Sequence, residues 1–228
     1  MFYFDSYYLI LVVPAIIISM IAQFKVQSTY RKYAQVMASR HVTAKEVVQQ
    51  ILSQNGLSNV GIERVQGSLT DHYDPRANVI RLSDTVYGDT SVASIGVAAH
   101  EAGHAVQYAT GYTPIKIRNA VLPAANIGSR LSMPLILIGI LFSMPALVEV
   151  GILLFSLVLL FQLITLPVEF NASRRAIHTL SQGNILQGEE IAGAKKVLSA
   201  AAMTYVAAAL VSALQLLRLV LLSRRRRN

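Results

Sequence analysis

Two histidines and a glutamate stand together in the run His100-Glu101-Ala102-Gly103-His104, flanked by GVAA and AVQYA. Histidines four apart share one face of an α-helix, about a turn from each other, and the glutamate points to the neighbouring sector. In that arrangement two imidazoles hold a zinc ion and a carboxylate reaches its bound water. A lone histidine on an apolar helix is usually a satisfied core residue. Two histidines and a glutamate on a buried Ala/Val-rich helix are costly to bury without a ligand. Gly103, lacking a side chain, lets a second element pack closely at that point.

Catalytic zinc takes three protein ligands and keeps a position open for water. Glu169, in LPVEFNASRRA, is the expected third ligand; it stands where an apolar hairpin brings the chain back to the membrane face it left. The competing reading is a charge at headgroup level, but an ionisable residue in such a place is functional by default. His72, His178 and the pair Glu189/Glu190 are weaker choices, and His41, Glu189 and Glu190 read as solvated surface. Glu101 is the expected general base. An oxyanion donor is needed too; His178, Arg175 and His72 are equal candidates. The run NVIRLS offers Asn78, Val79, Ile80 and Arg81 as an edge strand that an extended peptide could join. An ordinary core strand is the rival reading.

The elements that must position these residues are mostly apolar. The chain is 54% hydrophobic and 14% charged, well below the charged quarter or so of a soluble domain. The organisation expected is one integral-membrane domain over 1–228, in which a span at 7–24 is followed by an extramembrane part at 25–130, with the HEAGH helix at 91–110. A transmembrane hairpin follows at 131–168, bent near Pro145 and Glu149, then a polar segment at 169–200 carrying Glu169. A last apolar helix occupies 201–223, and a basic tail closes the chain at 224–228. Spans of about 20 apolar residues suit a bilayer. Gln215 and Arg218 interrupt the last segment, and a full crossing would put Arg224 to Arg227 on the side opposite the other flanking cations, so it reads as interfacial or re-entrant, with Arg218 and the tail kept inside.

Within the extramembrane part, TAKEVVQQILSQNG (43–56) reads as an amphipathic helix with a Thr43/Glu46 capping box and a stop at Gly56. VGIERV (60–65), SLTDHY (68–73) and NVIRLS (78–83) read as a small antiparallel sheet. The fold class is therefore mainly α, with transmembrane helices fused to a zinc-site core that includes this sheet. The net charge of +8 is carried near span ends, without interleaved aromatic residues. That points to anionic lipid rather than nucleic acid. Lys25, Arg31, Lys32, Lys116, Arg118 and Arg130 place the central region in the cytoplasm by the positive-inside rule. Absence of cysteine excludes disulfides and Cys-based zinc sites.

HEAGH, a hydrophobic hairpin and then EFNASRRA resemble the membrane zinc metallopeptidases of the gluzincin type. DHYDPRANVIRLSDTVYGDTSVASIGVAAHEAGHAVQ and the later MTYVAAAL run resemble, more closely, the YugP-type bacterial neutral zinc metallopeptidases. The resemblance covers nearly the whole chain. It implies one Zn2+ per chain on His100, His104 and Glu169, Glu101 as catalytic base, and a polypeptide substrate drawn from membrane or membrane-proximal proteins. It also implies a multi-pass bacterial plasma-membrane peptidase with its site at the cytoplasmic surface. Larger relatives carry Asp four residues after the ligand glutamate, where it orients a histidine. This chain has Ser173 there, which puts that role in doubt and leaves Asn171 or Asp71 as substitutes. The alternative is a non-proteolytic membrane protein with a structural or partner-binding zinc site; partner proteins and a homo-oligomer are open under either reading. A channel component is disfavoured, since the ionisable residues in the spans are essentially Arg218, with Glu149 in a turn.

Overall fold

The computed structural model describes residues 5–227, with side chains through Arg224. The basic tail beyond Arg224 and residues 1–4 otherwise lie outside it. The order is a π-helical stretch Tyr8–Val12 leading into α1 (Val13–Tyr33), α2 (Ala44–Gln54), β1 (Gly61–Val65), β2 (His72–Asp74), β3 (Val79–Ser83), α3 (Val92–Ala109), α4 (Thr113–Leu141), α5 (Pro145–Gln182) and α6 (Glu189–Arg227). The protein is mainly helical with one small sheet, as its sequence implies. Contacts divide it into two compact units: residues 24–115 with 168–202, and the remainder.

In the first of these, α2 forms for local reasons. Thr43 accepts the Glu46 amide while the Glu46 carboxylate accepts the Thr43 amide, a complete capping box. Val47, Val48, Ile51 and Leu52 form its buried stripe, and Gly56 ends the turn at φ +69°. Ser91 caps α3 by accepting the Ser94 amide, and Asp89 accepts both the Ser91 and Ser94 hydroxyls at 2.6 Å. Ile95, Ala98, Ala99 and Ala102 of α3 sit in one core with Ile80 and Leu82 of β3, and with Ala176 and Leu180 of α5.

The sheet departs from expectation in its pairing. Its order is β1-β3-β2. β1 runs parallel to β3, with Gly61 opposite Val79, and only β2 pairs antiparallel, with His72 opposite Arg81. Two parallel neighbours cannot be joined by a tight turn, and here the segment containing β2 is the connection that separates them. Arg81 ties the three strands, reaching Glu63 of β1 at 3.0 Å and Asp74 of β2 at 2.9 Å. The edge-strand expectation for Asn78–Arg81 is corrected by the same order. β3 is the central strand, so its backbone edges are taken by its neighbours; β2 is a true edge.

Among the described residues, four helices are long and apolar enough to cross a membrane: Tyr8–Tyr33, Thr113–Leu141, Pro145–Gln182 and Glu189–Arg224. Their apolar side chains include exposed Ile10, Met20, Leu141 and Leu153, a pattern that suits lipid rather than water. α4 begins well before residue 131. The hairpin bend is confined to residues 142–144, so Pro145 is the first residue of α5 and Glu149 lies inside that helix, not in a turn. Small residues let α4 and α5 approach: a side chain on Gly151 would meet the Ser132 carbonyl oxygen at 2.8 Å. The last apolar segment is part of one continuous helix. Arg218 is compatible with a crossing because its guanidinium donates to Asp5 Oδ2 from both Nε (2.9 Å) and Nη2 (2.5 Å), and it lies 5.0 Å over the Tyr8 ring. Pairing lowers the cost of Arg218 within an apolar helix; it does not bear on the terminal arginines, whose side chains beyond Arg224 lie outside the described residues.

Candidate metal centre

α3 and α5 cross at a point set by one missing side chain. A Cβ on Gly103 would stand 2.8 Å from the Ala172 carbonyl oxygen, so only glycine permits this approach. The crossing brings His100 Nε2 to 3.3 Å and His104 Nε2 to 3.6 Å from Glu169 Oε2. The three ligand atoms all lie within 4.8 Å of one another. Ligand atoms of a tetrahedral zinc, each about 2.0–2.1 Å from the ion, stand roughly 3.3 Å apart. Glu169 is 4% exposed, and its Oε2 has no hydrogen-bond partner. Both imidazole nitrogens are near it without making a hydrogen bond to it. Three Lewis bases aimed at a common point, one of them an orphaned buried carboxylate oxygen, fit a divalent cation.

The far nitrogens of both rings are occupied. His100 Nδ1 meets Ser173 Oγ at 3.1 Å, and His104 Nδ1 meets Gln107 Oε1 at 3.0 Å. Ser173, the departure from the larger relatives, therefore does contact a histidine. Such outer partners fix ring orientation and leave Nε2 for the metal. Burial disfavours a charged His104, but Glu169, Glu101 and Gln107 outweigh it and raise its pKa. The electrostatics around the ring are those of a site that attracts positive charge.

Glu101 is largely buried. The Tyr73 amide of β2 donates to its Oε2 at 3.0 Å, so an edge strand and the metal helix meet at this carboxylate. Asp71, just before β2, accepts the Ser83 amide at 2.7 Å and the Ser83 hydroxyl at 3.0 Å. Burial, with the nearby Glu101 charge, pushes the Asp71 carboxyl up. Tyr73 packs edge-on against Tyr108 of α3, with ring centroids 5.4 Å apart.

The other candidates fall elsewhere. Arg175 and His178 line a cleft of about 160 Å³ with Ile51, Asn55, Gly103 and Thr179; none of His100, His104 and Glu169 lines it. Asn171 Oδ1 accepts from Gln107 and Arg175 rather than from either histidine. Asp71 serves Ser83 instead. His72 is exposed, with Nδ1 2.8 Å from the Thr70 carbonyl oxygen, and it is not in the converging group. Asn78 accepts the Tyr73 hydroxyl and donates to the Asn59 carbonyl. Glu190 accepts from Ser39. Sequence reading missed Gln107, although an amide three residues after His104 on a buried helix face was a usable signal.

Helices long and apolar enough to cross a membrane and a His-His-Glu group that could hold a metal ion, beside the glutamate of an HExxH motif, point to one class of protein. The chain belongs to the family described as "Putative neutral zinc metallopeptidase", whose profile matches residues 8–224. It is 46% identical over 215 residues to the "Putative membrane protease YugP" of Bacillus subtilis (strain 168), an alignment covering 94% of this chain and 96% of that relative. No solved structure matches it significantly.

Proposed function

We propose that the chain is a membrane-embedded zinc endopeptidase, acting as one integral-membrane domain on membrane or membrane-proximal polypeptides. The observation that carries this reading is the buried, unpartnered Glu169 Oε2 facing two histidine Nε2 atoms. His100, His104 and Glu169 would hold one zinc ion per chain. When bound, the ion acidifies a water and polarises the scissile carbonyl. Glu101 is the proton carrier. The Tyr73 amide occupies Oε2, so Oε1 takes the proton and delivers it to the leaving amine. β2 is the edge along which an extended peptide would be laid beside Glu101. A closed structural site would call for a fourth protein ligand, whereas three residues form the converging group among the described residues.

The flanking cations Lys25, Arg31, Lys32 and Arg40 support a cytoplasmic site in a multi-pass plasma-membrane protein. The test compares wild type with Glu101→Gln, purified in detergent, for bound zinc and for cleavage of casein. Zinc in both and cleavage in wild type alone is the expected result. A loss of about 10²–10⁴-fold is typical for a general base. Well-folded wild type that binds no zinc overturns the reading.

A further inference from the structure

Gln107 is completely buried, and every polar atom of its amide is used. Nε2 donates to the Val168 carbonyl oxygen at 2.8 Å and to Asn171 Oδ1 at 3.0 Å; Oε1 faces His104 Nδ1 at 3.0 Å. The polarity of this arrangement is forced. A backbone carbonyl can only accept, so the side of Gln107 that meets Val168 must be the NH₂ group. The same assignment follows from the other end. Arg175 Nε, which can only donate, reaches Asn171 Oδ1 at 2.8 Å, so this oxygen is an acceptor for Gln107 as well. With NH₂ fixed toward α5, Oε1 must face His104. An amide oxygen can only accept, so Nδ1 of His104 must carry the proton. The neutral ring then presents a bare Nε2 lone pair on the Glu169 side.

His100 has no such constraint. Its partner is the Ser173 hydroxyl, which can donate or accept. The two histidines differ: one is set by a chain of fixed donors, the other by a rotor.

We propose that Gln107 is the positioning residue that fixes His104 in its metal-ready tautomer and docks α3 onto α5 beside Glu169, with Asn171 and Arg175 holding the amide in register. This rests on the zinc reading above. It also gives Arg175 a supporting role away from the reacting atoms, in place of the oxyanion role its charge suggested.

The test uses the full chain in detergent, with zinc affinity measured by chelator competition and ligand geometry read from the visible absorption of Co²⁺-loaded protein. Thermal stability of the metal-free chain is recorded alongside. Gln107→Met keeps the volume and removes both polar ends. It should weaken zinc about 10–100-fold, the usual effect of losing such an outer partner, and alter the Co²⁺ spectrum. Ser173→Ala should change affinity less. Arg175→Met, which touches no proposed ligand, should weaken zinc measurably while the metal-free chain melts as wild type does, and it serves if Gln107→Met fails to fold. Wild-type affinity and spectrum in folded Gln107→Met, or in Arg175→Met where only that variant folds, overturn the proposal. So does a Ser173→Ala defect equal to or larger than that of Gln107→Met. A wild-type chain that binds neither metal overturns the zinc reading and this inference with it.

Discussion

Gly103→Ala is the smallest change that should open the metal centre without touching a ligand. The added Cβ would lie 2.8 Å from the Ala172 oxygen and 3.3 Å from its carbonyl carbon and Cα. These are backbone atoms of α5, so no side chain can swing away. An unstrained contact needs roughly 3.3–3.5 Å, so the helices must part by about 0.5 Å. His100 and His104 sit on one helix and Glu169 on the other, so their 3.3 and 3.6 Å separations open with it. Zinc–ligand distances tolerate only about 0.2 Å. Overpacking of this kind costs about 1–3 kcal/mol, and we expect zinc to bind about 10–100-fold more weakly, as when an outer partner is lost. Chelator competition and thermal unfolding in detergent measure both. Gly88→Ala is the control, since a Cβ there meets nothing within 4 Å. Gly103→Ala with wild-type zinc affinity and melting temperature would refute the view that this crossing sets the ligand triangle.

Glu169→Ala should abolish stoichiometric zinc while leaving a folded chain, which metal analysis beside circular dichroism would reveal; retained zinc would exclude Glu169 as a ligand. Asp5→Asn removes the carboxylate charge opposite the Arg218 guanidinium, which is 8% exposed at its side chain. Breaking such a pair costs about 3–5 kcal/mol, so the aggregation temperature in detergent should fall and largely recover in Asp5→Leu/Arg218→Leu. An unchanged single variant would show the pair is dispensable. Asp74, held at a pKa of about 2 chiefly by Arg81, adds stability that is present above the usual carboxylate pKa and is lost as pH falls through about 2. Asp74→Asn should therefore destabilise the chain at neutral pH and make no difference below pH 2, as read by melting against pH. Finally, the chain has no cysteine, so His41→Cys gives a single label site. An impermeant thiol reagent should reach it only after the cells are permeabilised, and labelling in intact cells would reverse the proposed orientation.

What the sequence determined by itself was short-range. The capping box at Thr43 and Glu46, the cap at Ser91 and the stop at Gly56 are decided within one helical turn. HEAGH places its two histidines on one face by helix periodicity alone, and hydropathy marks the long apolar helices without reference to their neighbours. Tertiary structure decided whatever joins distant residues. The strand order β1-β3-β2 depends on which edges meet after collapse, and alternation within each strand is the same for either order. Asp5 and Arg218 are at opposite ends of the chain, so no local pattern could show that the arginine is paired. The roles of Gln107, Asn171 and Arg175 depend on how α3 and α5 are rotated at the Gly103–Ala172 crossing. A sequence gives a side chain's chemistry and its helical face. Its partner is fixed only when two helices choose a separation and an angle.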